Sequence, residues 1–288
     1  MRRLTRHEPA SVQDACDLLN RYGDTARVYA GGTELLTLLK LGLVRCEHLI
    51  SLNAIPGLDS IRYDEATGQL RIGALTTHRD VERSQLVLAR LPVLVQMEHE
   101  VANVRVRNVG TLAGNLSFAD PYSDSGTLLT CLQAALVLQR GDQQRIVPMD
   151  SYLVDAYATS REDDEILVEI RVPVPPTRSK VAYQTFRFYE RPSANVAVMA
   201  SFSEDGQNID ELRAVVGAVP PTPTRLTALE AAAQNAGVGS VAQAIDEASA
   251  GALQDVEVFA ENHGSAEYQR GLVRVLLRRA LASILNSA

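Results

Sequence analysis

The sequence predicts an α+β fold in two parts, a larger mixed body followed by a smaller three-stranded antiparallel sheet with a helical bundle. Three observations lead there. Helix-like and strand-like runs interleave through the first part. The stretch "VPVPPTRSK", residues 172–180, then sets three prolines among polar residues and stops regular structure. Beyond it, "VAYQTFRFY", "NVAVMASFS" and "ELRAVVGAV" read as strands separated by turn signals, and an Ala-rich helical tail follows.

Each element has its own warrant. Ser11 caps a helix whose Val12, Ala15, Leu18, Leu19 and Tyr22 share one face, and Gly23 sits where it stops. "ARVYAGG" is a short strand running into a double glycine, and "ELLTLLKLG" is helical again. "HLISLNAI" and "QLRIGAL" are strands, the second alternating Leu70, Ile72 and Ala74 onto one face. Thr77 caps "HRDVERS", with Asp80 three residues on as in a capping box. "LPVLVQMEHEVA" is helical, "GTLLTCLQAALVLQ" passes from helix to strand, and "DDEILVEIRVPVP" is a strand ending in prolines. After "VPPTPTR" the tail closes with the long helix "SAEYQRGLVRVLLRRALASIL".

Composition narrows the function classes. A chain of 288 residues accommodates one large or two medium domains. Its apolar content comes mainly from Leu, Val and Ala, without Trp, so the core is aliphatic. The net charge of −7 argues against nucleic acid as a partner. Cys16, Cys46 and Cys131 stand apart with no C-x-x-C pair, so an iron–sulfur cluster or zinc ribbon held by this chain alone is not expected. Free thiols suit a reducing compartment. "MRRLTRHEPASVQ" lacks the apolar core of a signal peptide, and no run is apolar enough for a membrane span. A cytoplasmic protein is expected. His7, His48, His78, His99 and His263 are scattered without metal-ligand spacing, so no metal site is expected.

Two glycine-bearing loops carry the chemistry. Ala30-Gly31-Gly32-Thr33-Glu34 lies between a strand and a helix, where backbone N–H groups and the helix N-terminus favour an anion. Thr111-Leu112-Ala113-Gly114-Asn115 is the second. Each reads either as a tight αβ turn or as half of a cradle for the two phosphates of a dinucleotide. Neither is G-x-G-x-x-G or ends in G-K-[ST], which disfavours a Rossmann site and a P-loop. Asp120, before Pro121, reads as a turn residue. Arg105 and Arg107 read equally as phosphate or partner contacts and as solvated ion pairs. Arg274, Arg278 and Arg279 read as a solvated or inter-subunit helix face.

Taken in order, "VYAGGTELLTLLK", "IGALTTHRDV", "VRNVGTLAGNLSFADPYSD", "VGAVPPTPTR" and "GSAEYQRGLVRVLLRRAL" resemble the FAD-binding medium subunit of the molybdenum hydroxylases, the xanthine dehydrogenase and aerobic carbon monoxide dehydrogenase family. The resemblance covers essentially the whole chain. It implies a PCMH-type FAD-binding domain over residues 1–176 and a carbon monoxide dehydrogenase flavoprotein-type C-terminal domain over 177–288. It implies that Tyr29, Ala30, Gly31, Gly32, Thr33, Glu34 and Leu35 hold one side of the pyrophosphate, and Gly110, Thr111, Ala113, Gly114 and Asn115 the other. Asp124 matches an acid that accepts from FAD hydroxyls, Leu167 a backbone contact, and Arg187 a basic residue near the flavin. Val101 falls where a related enzyme sets an aromatic against the ring, and a valine offers no π face. Asn195 stands where many relatives carry an acid. Thr33-Glu34 replaces the His-Ser usual in carbon monoxide dehydrogenases, which weighs against that substrate.

The function implied is a non-covalent FAD subunit without catalytic residues of its own. A large partner would hold the molybdenum cofactor, a small one two [2Fe-2S] clusters, and the assembly would be a dimer of heterotrimers. Electrons would pass from the clusters to FAD and on to an external acceptor. Two other readings stand beside it, a self-contained FAD-dependent oxidoreductase of the same fold and a scaffold that has lost the cofactor.

Overall fold

A computed structural model of the chain describes residues 4–234, 236–259 and 264–286. Local chemistry sets its first elements as the sequence indicates. Ser11 Oγ accepts from the Asp14 N–H at 3.1 Å and starts the helix Val12–Tyr22, which Gly23 ends at φ +47°. Thr77 and Asp80 close their capping box over His78–Arg83, with N–H to side-chain distances of 3.1 and 3.0 Å. An N-cap of this kind contributes about 1 kcal/mol.

Three main sheets result. A parallel one has the order Thr5–His7, His48–Ser51, Ala26–Tyr29. Its last strand leads through Gly31 and Gly32 into the helix Thr33–Leu41. An antiparallel five-stranded sheet runs Ile61–Asp64, Gln69–Gly73, Ile166–Pro173, Ala135–Arg140, Gln143–Pro148. Leu70, Ile72, Leu136, Leu138 and Ile170 pack from it against the helix Pro92–Glu100 and the short helices Leu112–Phe118 and Ser125–Cys131.

The third sheet contains Ser179–Arg187, Pro192–Phe202 and Ile209–Gly217, the three strands read from the sequence, plus a fourth, Thr224–Arg225. That two-residue strand follows Pro223 and is too short to show alternation. The helices Thr227–Ala233, Val238–Ala252 and Ala266–Leu285 cover one face. The other face meets the first part of the chain. Along the central strand Val196, Val198 and Ala200 enter the helical core while Ala197 and Met199 enter the main core, as a two-residue period requires.

The second glycine-bearing stretch is not a loop. Thr111 is an N-cap whose Oγ1 accepts from the Gly114 N–H at 3.0 Å, and Leu112–Phe118 is helical. Leu112, Ala113 and Leu116 are buried at helical spacing, and that apolar stripe outweighs the local preference of Gly114 and Asn115 for turns.

Candidate functional site

The two glycine-bearing segments are seated directly on each other. A Cβ on Gly31 would lie 2.0 Å from the Val109 carbonyl oxygen and 2.8 Å from Gly110 Cα. On the other side, a Cβ on Gly110 would lie 3.5 Å from Thr33 Cγ2 and 3.4 Å from His78 Cδ2. The Gly110 carbonyl accepts from the His78 N–H at 3.0 Å, and Leu112 N–H donates to the Thr76 carbonyl at 3.2 Å. Gly32 takes φ +71° and is the N-cap of Thr33–Leu41, with no side-chain cap bond. The first-turn N–H groups of that helix therefore have no side-chain cap and keep their affinity for an anion. Tyr29 turns its ring against Gly32, and the Ala30 carbonyl accepts from Asn53 Nδ2 at 3.5 Å.

A turn after Ser179–Arg187 clamps the second part of the chain onto this region. Arg187 donates to Asp124 Oδ1 at 2.7 Å. Glu190 accepts from Asn103 Nδ2 at 3.0 Å. Arg191 pairs with Asp120 at 2.9 Å and reaches Glu34 at 3.5 Å. Asp120 is the turn residue expected, accepting from the Tyr122 N–H at 3.0 Å, and is an ion-pair partner as well. Beside the turn, His99, Glu100, Ala102, Arg187, Phe188, Tyr189 and Glu190 line a surface cavity of about 550 Å³.

Asp124 is 5% exposed and also accepts from the Tyr183 hydroxyl. Burial pushes its carboxyl up from the ordinary range against the pull of Arg187 and Tyr183, and the charge of Glu98 adds to the rise. Burial and the Asp124 charge push the Tyr183 phenol up in turn. Glu98 Oε1, Ser125 Oγ and Arg187 Nε are buried around this group without a hydrogen-bond partner among the described residues. Glu98 holds His78 through its other oxygen at 2.6 Å. Such a concentration of unsatisfied polar atoms, beside an uncapped helix start, fits a polar ligand rather than a closed core.

The remaining candidates are part of the framework. Val101 and Leu167 are 7% and 4% exposed, and their side chains lie in the main core. Leu167 sits at a bulge opposite Ala135–Arg140. Arg107 is buried, donates to the Val101 carbonyl at 2.8 Å and pairs with Glu82 at 3.0 Å, whereas Arg105 is exposed. Arg107 is thus a buried structural ion-pair residue, not a solvated one. Arg278, on the terminal helix, pairs with Asp246 at 2.6 Å. His263 lies outside the described residues.

Burial works to raise the Glu82 carboxyl, but Arg79, His99 and Arg107 together outweigh it and hold it at about 2, down from 4.5. A depressed acid stabilises the fold fully above its unfolded value and loses that contribution as pH falls toward the folded one. Glu82→Gln is therefore expected to cost about 2 kcal/mol at neutral pH, less than a fully buried pair because Arg79 and His99 reach solvent. The gap from the parent should narrow as pH drops below 4.5 toward about 2, which urea titrations at stepped pH would measure.

Tyr183, Glu98 and Arg191 were not singled out in the sequence. Tyr183 had a readable signal, because Tyr183 and Arg187 share one face of a strand by the two-residue period. Glu98 and Arg191 had none, since their partners come from other elements.

Comparison with known proteins shows the family and the fold. A family model described as the FAD binding domain in molybdopterin dehydrogenase matches residues 2–175, and one described as the CO dehydrogenase flavoprotein C-terminal domain matches residues 189–284. The carbon monoxide dehydrogenase medium chain of Afipia carboxidovorans is 34% identical over 96% of this chain and 94% of its own. The xanthine dehydrogenase FAD-binding subunit of Escherichia coli O157:H7 is 28% identical over 98% and 96%. Among solved structures, carbon monoxide dehydrogenase from Hydrogenophaga pseudoflava, in a form lacking the Mo-pyranopterin moiety, superposes with a TM-score of 0.91 at 32% identity, covering 98% of this chain and 97% of that one. No helix among the described residues is long and apolar enough to cross a membrane. With matching domains in the same order and relatives aligned from end to end, the chain belongs to the FAD-binding subunits of the molybdenum hydroxylases, the oxidoreductase family of the carbon monoxide and xanthine dehydrogenases.

Proposed function

We propose that the chain binds one FAD non-covalently and carries electrons within a molybdenum hydroxylase, from two [2Fe-2S] clusters of a small partner subunit to an external acceptor. The observation that carries this is the seating of Gly31 on Val109 and Gly110, which sets an uncapped helix start beside a second helix start built from small residues. FAD, when bound, supplies the one- and two-electron chemistry. The chain supplies binding, orientation and charge. Tyr29 to Leu35, with Thr111 and Ala113, would take the pyrophosphate on backbone N–H groups. Gly110, Gly114 and Asn115, whose N–H groups donate to the Val106 carbonyl, Thr111 Oγ1 and the Thr111 carbonyl, would shape the seat beside it. Asp124, anchored through Oδ1, would offer Oδ2 to sugar or ribityl hydroxyls. Arg187 would place positive charge near the ring, and Val101 and Leu167 would back it from the core.

The domain boundary falls between 176 and 177, in the stretch between the strands that end at Pro173 and begin at Ser179. The substrate would be oxidised on the large molybdenum subunit, in a dimer of heterotrimers. Three unpaired, buried cysteines support a reducing, cytoplasmic setting. The test is to purify the native assembly and measure subunits, molybdenum, iron and flavin. The expected result is absorbance near roughly 450 nm that heat denaturation releases from the chain. An assembly of these subunits without flavin would overturn the reading.

A further inference from the structure

The helix Ser125–Cys131 begins in an unusual way. Its N-cap is Asp124, a residue type that ordinarily accepts from the first-turn N–H groups. Here the N-cap has φ −82° and ψ −42° and makes no side-chain cap bond, because the carboxylate is turned toward Tyr183 and Arg187. The turn is held instead from another element. Asn195, fully buried on Pro192–Phe202, donates from Nδ2 to the Ser123 carbonyl at 3.1 Å and accepts at Oδ1 from Thr127 Oγ1 at 2.8 Å. The orientation of this amide is fixed, since a carbonyl can only accept. Room for it comes from Gly217 on the adjacent strand, where a Cβ would lie 1.9 Å from Thr127 Oγ1 and 2.6 Å from Asn195 Oδ1. The same Ser123 donates from Oγ to Asn115 Oδ1 at 2.7 Å.

We propose that Asn195 is a positioning residue of the cofactor site, its carboxamide fixing Ser123 and Thr127 so that Asn115 and Asp124 face the cofactor together. The inference rests on the FAD reading above. In this chain the amide supplies both the donor for the Ser123 carbonyl and the acceptor for Thr127. A carboxylate keeps the bond from Thr127 but turns a second oxygen on the Ser123 carbonyl, and only its neutral form has an O–H to donate there.

The experiment titrates FAD into the full-length apoprotein of the parent, Asn195→Asp and Thr127→Val at pH 8 and pH 5, with amide exchange at residues 124–128 alongside. Asn195→Asp is expected to bind FAD about tenfold more weakly than the parent at pH 8 and to recover most of that loss at pH 5. Asp124, Glu98, Tyr183 and Arg187, with Arg213 on the other neighbouring strand, are common to both proteins, so the ratio isolates position 195. Thr127→Val, which keeps shape and charge, is expected to weaken binding by about threefold at both pH values and to speed exchange at 124–128. It carries the test if Asn195→Asp does not fold. FAD affinities within about twofold of the parent for the folded variants would overturn the inference and leave the FAD reading intact. A parent that binds no FAD would overturn both.

Discussion

A Gly31→Ala chain is expected to lose FAD binding and about 3 kcal/mol of stability. The reason is steric and local. The new methyl carbon would sit 2.0 Å from one backbone oxygen and 2.8 Å from the Gly110 Cα, so no flexible side chain can give way. One of the two segments has to move, and with it the alignment of the helix starts at Thr33 and Leu112. Gly271→Ala is the matched control. Gly271 is exposed on Ala266–Leu285 with nothing within 4 Å of a Cβ, so alanine there should stabilise by up to about 1 kcal/mol and leave FAD affinity unchanged. Urea denaturation and FAD titration of the two variants check both expectations. Retained affinity in Gly31→Ala would refute the two-segment cradle.

Asp124→Ala is expected to cost about 3 kcal/mol, because it leaves Arg187 and the buried Tyr183 hydroxyl without their common acceptor, and to abolish FAD binding. Asp124→Asn separates the two effects. It keeps an acceptor oxygen while removing the charge, so stability at neutral pH should stay within about 1 kcal/mol of the parent while FAD binds at least about tenfold more weakly. Burial has raised the Asp124 carboxyl, so its favourable contribution is complete below its unfolded value of 3.8 and is lost as pH rises through the folded value. Relative to Asp124→Asn, the parent should therefore lose stability as pH climbs from about 4 toward neutral, which stepped-pH urea titration reads directly. Equal FAD affinity in both proteins would remove Asp124 from the site.

The legible part of the structure was local. Ser11 over Val12–Tyr22, and Thr77 with Asp80 over His78–Arg83, put cap and apolar face within a few residues of each other. The double glycine at 31–32 was readable for the same reason. At 111–118 the turn-forming residues and the buried stripe compete, and only packing decides between them. Strand Gln143–Pro148 escaped because it is largely exposed, and Ile61–Asp64 because four residues carry only one apolar alternation, Ile61 and Tyr63 toward the core. In the site, Asp124 and Arg187 were individually recognisable, yet their direct contact spans 63 positions and no local pattern encodes it. The contacts of Asn195 with Ser123 and Thr127 were hidden in the same way.

The strand Pro192–Phe202 has a consequence for how the chain comes apart. Ala197 and Met199 complete the interior of the first part, while Val196 and Val198 complete that of the second. The interior of the first part is thus closed by residues of the second, so the two are expected to melt together, as a single calorimetric transition. Separation of the two at the proline stretch is expected to open the core of the first part, which would lose Ala197 and Met199.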